Sequence, residues 1–365
     1  MTPRFILIGG FLGAGKSTTV GRLAKHYTDS GQKVGIVTND QTTDLVDTHS
    51  LRNQGFDVGE VAGACFCCNF NELTQTVDEL GRDALPDVIL AEPVGSCTDL
   101  VATVIRPLVG VYEAPLDVAP YGVLLKPSHG LKILCGEGKG GFSPKAEYIF
   151  RKQLEEADFV VINRIDQLDP AQVQKLADAI DEQYPGRTII RMSAKTGDGF
   201  DAYQEFLSQQ GQFGTRALEM DYDLYAEGEA ELGWLNCQFR MSSDSAIKLD
   251  QLLLQLVTDL HNSLATSGAE IAHLKAIGME DGSYAVANSV SSSTEPELSL
   301  MCGTEHKAAD IVVNARVAID PEQLESLVRE KIQEVTSKLN ADARIDTMQS
   351  FRPGRPVPTH RIVAS

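Results

Sequence analysis

The stretch ILIGGFLGAGKSTTVGRLAKHY, residues 6–27, decides the fold. Its apolar start predicts a buried strand, and its second half places Val20, Leu23, Ala24 and Tyr27 on one face of a helix. Between the two, Gly10 is followed after four residues by Gly15, Lys16 and Ser17, the spacing of a phosphate-binding loop in the strand–loop–helix setting that such a loop requires. Glycines let backbone N–H groups close around phosphates, Lys16 extends to the β- and γ-oxygens, and the Ser17 hydroxyl ligates Mg²⁺ at the helix N-terminus. The expected nucleotide contacts of this loop are Gly10, Gly13, Ala14, Gly15, Lys16, Ser17 and Thr18, with Lys16 also catalytic.

Two later stretches address the base. EADFVVINRIDQL, residues 156–168, ends a strand-like run with Asn163, Arg164, Ile165 and Asp166, an Asn-Lys-x-Asp pattern with arginine in place of lysine. A carboxylate at Asp166 accepts from both the ring N–H and the amino group of guanine, whereas adenine presents an acceptor there. TIIRMSAKTGDGF, residues 188–200, sets Ser193, Ala194 and Lys195 just past another apolar strand, where a backbone N–H can hold the guanine carbonyl. In this order, behind a phosphate loop, the two point to GTP over ATP. The aliphatic stem of Arg164 can stack on the base as lysine would. In PDVILAEPVGSCTDL, residues 86–100, Glu92 closes an apolar strand beside the expected γ-phosphate, able to hold Mg²⁺ through water or to orient the attacking water. Gly95 offers a backbone N–H to the γ-phosphate. No glutamine follows Gly95, so hydrolysis is expected to be slow unless a partner or a homodimer completes the site.

GACFCCNF, residues 63–70, places three of the seven cysteines within four positions. Cys65, Cys67 and Cys68 can converge on one tetrahedral ion and leave a fourth position, for which Asp40, His49 and Cys97 are candidates. The alternatives are a core segment, which Phe66 alone supports poorly, and a disulfide or redox switch pairing Cys65 with a neighbour. Soft thiolates favour zinc or copper(I) over magnesium, with cobalt, nickel and iron compatible by ligand type.

Composition narrows the partners. Thirty-two Lys and Arg residues against 51 Asp and Glu give a net charge of −19, which repels a nucleic-acid backbone or an anionic membrane. An odd number of unevenly spread cysteines fits a reducing compartment better than a disulfide framework. With no long apolar run and a first strand that leads straight into a glycine-rich loop, the chain reads as cytoplasmic.

GGFLGAGKST, CFCC, EPVG, NRID and SAKTG occur here in the order found in the CobW-type GTPases, relatives of the UreG and HypB nickel-insertion proteins within the SIMIBI class of P-loop NTPases, and the chain resembles that family over roughly its first 210 residues. The resemblance implies a GTP-dependent metallochaperone or metalloenzyme activator in which nucleotide and metal at the Cys-x-Cys-Cys cluster influence each other. It implies a client metalloenzyme or metal-acceptor protein as partner. DYDLYAEGEAELGWLN, residues 221–236, is similar to the start of the family's second domain in one branch. Arg164 departs from the family's lysine, Asn39-Asp40 stands where many members have Asn-Glu, and no histidine-rich tract is present.

The later half changes texture. AIKLDQLLLQLVTDLHNSL predicts a helix with Leu249, Leu252, Leu253, Leu256, Val257 and Leu260 inside, and PEQLESLVREKIQEVTSKL predicts a final helix starting at Pro321. WLNCQFRM, EIAHLKAIG and IVVNARVAI read as strands, ANSVSSSTEPELSL as a polar loop, FRPGRPVPTHR as an extended tail, and residues 107–146 as irregular. His273, His306, His360, Cys237 and Cys302 are expected to be structural or solvated, and Tyr222, Tyr225 and Trp234 to pack at a domain junction. The expected architecture is an α/β P-loop domain over residues 1–212, its mostly parallel sheet flanked by helices, followed by a smaller α+β domain over 213–365. The expected activity is hydrolysis of GTP to GDP coupled to transition-metal delivery. A small-molecule kinase or ATPase with structural cysteines is the alternative from another class, and a nucleotide-dependent scaffold that carries no metal is a third.

Overall fold

A computed structural model describes residues 2–40, 46–82, 85–137 and 143–363. They form two compact units, one of residues 2–40, 55–228 and 355–363, the other of residues 46–54 and 229–354. Residues 213–228, expected in the second domain, therefore cluster with the first, as does the C-terminal tail.

The first unit is built on eight strands: β1 (Arg4–Gly10), β2 (Val34–Asn39), β3 (Asp57–Val61), β4 (Val88–Glu92), β5 (Asp117–Val118), β6 (Gly122–Leu125), β7 (Phe159–Ile162) and β8 (Thr188–Arg191). Their order is β3-β2-β4-β1-β6-β7-β8, every pairing is parallel, and β5 pairs with β1 off this path. Strands buried on both faces need continuous apolar runs, and β4, β6 and β7 are buried at every position. Helices α1 (Lys16–Asp29), α2 (Val46–Asn53), α3 (Phe70–Leu80), α4 (Arg106–Gly110), α5 (Pro127–Ile133), α6 (Pro144–Glu156), α7 (Pro170–Gln183), α8 (Phe200–Leu207) and α9 (Tyr222–Glu229) follow in order. Of these, α1, α3, α6 and α7 contact the sheet. Ser143 caps α6, and Asp169 with Gln172 forms a capping box on α7, each ahead of a proline that opens the helix. Because the strands run parallel, the carboxyl ends of β1, β2, β4 and β7 bring Gly10, Asn39, Glu92 and Asn163 to one edge of the sheet.

Residues 107–146 are not irregular throughout, since β6 fills the sheet between β1 and β7. A four-residue strand covered on both faces has no alternation to betray it, and Gly122 is required by packing: a Cβ there would meet the Phe159 ring at 2.4 Å.

The second unit holds β9 (Gly233–Lys248), α10 (Leu249–Thr266), β10 (Ile271–Glu280), β11 (Ser283–Ser289), β12 (Glu297–Leu300), β13 (Glu305–Val317), α11 (Pro321–Lys338) and β14 (Ala341–Phe351). The sheet is antiparallel in the order β12-β11-β10-β13-β9-β14, and α10 and α11 pack on it and on each other. All six predicted core residues of α10 are buried, and α11 buries Leu324, Val328, Ile332 and Val335 while Leu327 is half-buried. Strands β11, β12 and β14 were not expected, the first two running into or lying inside what reads as a polar loop. Nearly every position of β12 and β14 is exposed or half-exposed, so their apolar signal is thin. The segment between β2 and β3 contributes α2 to this unit: Val46 packs with Ile277, Val286 and Val312, and Asp47 pairs with Lys275. Trp234 belongs here too, under the Arg316 guanidinium at 4.2 Å, whereas Tyr222 and Tyr225 lie in the first unit with ring centroids 6.0 Å apart.

Candidate nucleotide and thiol site

The phosphate loop has the backbone its glycines allow. Gly10, Gly13 and Gly15 adopt φ values of 136°, 73° and 93°, and a Cβ on Gly10 or Gly15 would meet Leu124 O or Asn163 Nδ2 at 2.5 Å. Gly15 caps α1 with no side-chain bond to the first turn, and first-turn N–H groups at a helix N-terminus are the donors that bind phosphate. Lys16 is buried and donates from Nζ to Gly10 O at 3.0 Å, folded over the cradle. Ser17 Oγ donates to Glu92 Oε1 at 2.9 Å, so the hydroxyl and carboxylate expected to share Mg²⁺ already meet. This is an oxygen pair of the kind Mg²⁺ accepts beside phosphate oxygens.

The base motifs are tied to the same loop. Asn163 Nδ2 donates to Ala14 O at 2.8 Å, and its Oδ1 accepts from the Ala194 N–H at 2.9 Å, so one buried amide joins the phosphate loop to the Ser-Ala-Lys turn. Arg22 of α1 adds donations to Ala194 O at 2.6 Å and Lys195 O at 2.8 Å. Asp166 and Lys195 are exposed at this rim, Ser193 and Ala194 are buried beneath it, and Arg164 turns the chain there with φ 59°.

The cysteine loop hangs from the end of β2. Asn39 Nδ2 donates to Val61 O at 2.9 Å and Ala64 O at 2.8 Å, and its Oδ1 accepts from the Phe66 N–H at 2.8 Å. The Cys68 and Asn69 N–H groups both donate to Cys65 O at 2.9 Å, a tight turn that folds the thiols together. Sulfur separations are 3.0 Å for Cys65 and Cys67, 3.4 Å for Cys65 and Cys68, and 3.7 Å for Cys67 and Cys68. A tetrahedral zinc thiolate with Zn–S near 2.3 Å has sulfur edges of about 3.8 Å, so the donor set fits such an ion after an outward shift of a few tenths of an ångström. Among the described residues these three form the only group of three or more His, Cys, Asp or Glu ligand atoms within 4.8 Å of one another. Asp40, whose N–H donates to Val61 O at 3.3 Å, is outside that group, and His49 lies on α2 in the other unit. Cys97, fully buried, is within hydrogen-bonding reach of the Cys65 sulfur. Hydrogen bonds from Cys67 and then from Cys68 and Cys97 hold Cys65 well below the usual thiol range. The bond to Cys65 pushes Cys67 upward, and Cys68 up to about 11.

The loop after β4 runs between the two sites. Gly95 packs against Leu12, where a Cβ would sit 2.8 Å from Leu12 Cδ2. Gln153 of α6 donates to Gly95 O at 3.0 Å and Cys97 O at 2.8 Å. Glu156 accepts from Thr98 Oγ1 at 3.2 Å and the Val101 N–H at 3.0 Å. Neither residue belongs to a motif. The one signal in the sequence is a polar side chain sharing a helix stripe with Ile149, Phe150 and Leu154.

A strand–loop–helix phosphate cradle wired to guanine-type motifs, with a thiol cluster on the neighbouring strand end, defines a P-loop NTPase that carries a candidate metal centre. Residues 4–191 match the CobW/HypB/UreG nucleotide-binding domain, and the chain belongs to that family. It is 30% identical over 176 residues to the zinc chaperone YeiR of Escherichia coli, covering 47% of this chain and 49% of that one. With the zinc chaperone CobW of a Sinorhizobium species it shares 24% identity over 217 residues, 53% of this chain and 59% of the relative. These matches span about half the length of the two relatives. The nickel-bound HypB structure from Helicobacter pylori is 19% identical with a TM-score of 0.40, covering 57% of this chain and 92% of that one. Among the described residues no helix is long and apolar enough to cross a membrane.

Proposed function

We propose that the protein binds and hydrolyses GTP and couples its nucleotide state to the binding and delivery of zinc to a client metalloenzyme. One observation carries this reading: the strand ends that form the phosphate edge also hold the three converging sulfurs, through Asn39 on one side and the Gly95–Cys97 loop on the other. Cys65, Cys67 and Cys68 bind the metal as substrate, and Cys97 is the fourth ligand the thiol contact favours over Asp40 and His49. Zinc suits four soft donors, and cobalt, nickel or iron would enter the same site less selectively. Lys16 steadies the β- and γ-phosphates, Ser17 and Glu92 hold Mg²⁺ directly or through water, and Gly95 offers its N–H to the γ-phosphate. Asp166 reads the guanine edge while Asn163 and the Ser193–Lys195 turn hold the pocket in shape. Free thiols of this kind persist in a reducing compartment, in keeping with a cytoplasmic protein. The zinc chaperones YeiR and CobW among the relatives support the choice of metal.

Cys67→Ser tests the coupling. Zinc affinity is expected to fall by more than the roughly 10–100-fold that loss of an outer-sphere contact costs, and zinc is expected to lose its effect on the GTPase rate. If both quantities match the parent chain, metal and nucleotide are not coupled through this cluster.

A further inference from the structure

The C-terminal tail has a partner. Residues 355–362 form neither helix nor strand, and with Pro356 and Pro358 on either side Val357 supplies the single peptide N–H of positions 356–358. That N–H donates to Cys68 Sγ at 3.3 Å. The Thr359 N–H donates to Cys67 O at 2.8 Å, and its hydroxyl donates to Cys68 O at 2.8 Å. His360 packs edge-on against Phe70 with centroids 5.2 Å apart. Beyond it, Arg361 Nε donates at 2.7 Å to Asp99, a fully buried carboxylate held at φ 61° four residues after Gly95, and the Ile362 N–H donates to Ala102 O at 2.8 Å. The Tyr222 hydroxyl donates to the same Asp99 carboxylate at 2.7 Å.

Burial does not explain the contact at its centre, because Val357 is 69% exposed. A neutral thiol is a weak acceptor and a metal-bound thiolate a strong one, so an N–H aimed at sulfur gains most when the site is charged or filled. An extended, proline-stiffened segment also loses little entropy on being laid down.

We propose that residues 355–362 are a strap forming one wall of the thiol centre, with the Val357 N–H donating to the metal-bound Cys68 sulfur, and that the strap must lift for metal to leave. The strap rests on the metal-binding reading given above. It grips both the thiol loop and the loop after Gly95, so whatever moves the second loop bears on the strap's hold over the first.

The full chain, loaded with Co²⁺ as the probe, separates the possibilities. Val357→Pro removes the N–H at an exposed position already restrained to extended backbone by Pro358, and Val357→Ala keeps it. Val357→Pro is expected to shift the thiolate-to-cobalt charge-transfer band and to release Co²⁺ to a chelator about tenfold faster, at the lower end of outer-sphere effects, while Val357→Ala behaves as the parent. Arg361→Gln, which frees the far end of the strap, is expected to speed release to a similar extent. A Val357→Pro chain with the band and release rate of Val357→Ala overturns the strap and leaves the metal site standing. A parent chain that shows no thiolate band with Co²⁺ overturns both.

Discussion

Asp166 and Asn163, three residues apart, do different work. Asn163 uses one amide N–H on Ala14 O and accepts from the Ala194 N–H, so it ties the phosphate loop to the Ser-Ala-Lys turn and keeps a second N–H for the nucleotide. Asp166 stands exposed at the rim, where a carboxylate can accept from two guanine donors. Asp166→Asn replaces one acceptor with a donor. GTP affinity is expected to fall about a hundredfold, consistent with charge-assisted bonds of roughly 1.5–3 kcal/mol each, and xanthosine triphosphate, which carries an acceptor where guanine has its amino group, is expected to bind better than GTP. Competition binding with the three nucleotides GTP, ATP and xanthosine triphosphate checks this, and an unchanged GTP preference would remove Asp166 from the base site. Residues of this kind were legible because their partners are close in sequence or fixed by motif spacing. Gly10 to Ser17 and Cys65 to Cys68 announce themselves within a few positions. Asp99 and Arg361 do not: 262 residues separate the two ends of that ion pair, and no local pattern marks either.

Helix α6 shows how an element without a motif can set the working loop. Its last turn places Gln153 on Gly95 O and Cys97 O and Glu156 on Thr98 and Val101, bracing the segment between γ-phosphate edge and thiols. Burial pushes the Glu156 carboxyl from 4.5 up to about 8, with the nearby Asp99 charge adding to it. The sign of the linkage follows. Between pH 4.5 and about 8 the folded chain keeps this proton while the unfolded chain has lost it, so this group's contribution to stability falls as pH rises through that window and is level above it. Glu156→Gln cannot ionise. Relative to the parent it is expected to gain stability steadily from pH 5 to pH 8, read by urea unfolding at each pH, and a difference independent of pH would show that Glu156 is ionised in the folded state. The helix itself was invisible in its role because residues 107–146 before it read as irregular, hiding β6 and with it the centre of the sheet.

For the whole molecule, sequence pattern was most informative where one face is apolar and the other wet. Helices α10 and α11 have that alternation and were readable nearly to the residue, whereas β14, exposed or half-exposed at every position but Ala341, was not. The division of the chain was also hidden, since α2 lies between two strands of the first sheet yet packs with Ile277 and Val312 of the second. Leu256, fully buried on α10 in the second unit's core, tests that this unit has a core of its own. Leu256→Ala is expected to cost about 2–5 kcal/mol of that unit's stability. Circular dichroism melts should show its transition lowered, with nucleotide still raising the transition of the P-loop unit. A cost below about 1 kcal/mol would mean the site collapses around the smaller side chain. The central claim concerns linkage between two ligands on the first unit, and reciprocity makes it measurable from the metal side alone. Purified under reducing conditions, the chain is titrated with Zn²⁺ and Co²⁺ in the presence of GTP-γ-S, of GDP and of no nucleotide, against a competing chelator. The account predicts metal affinities that differ between the triphosphate and diphosphate states by about 5–150-fold, and equal affinities in all three states would contradict it.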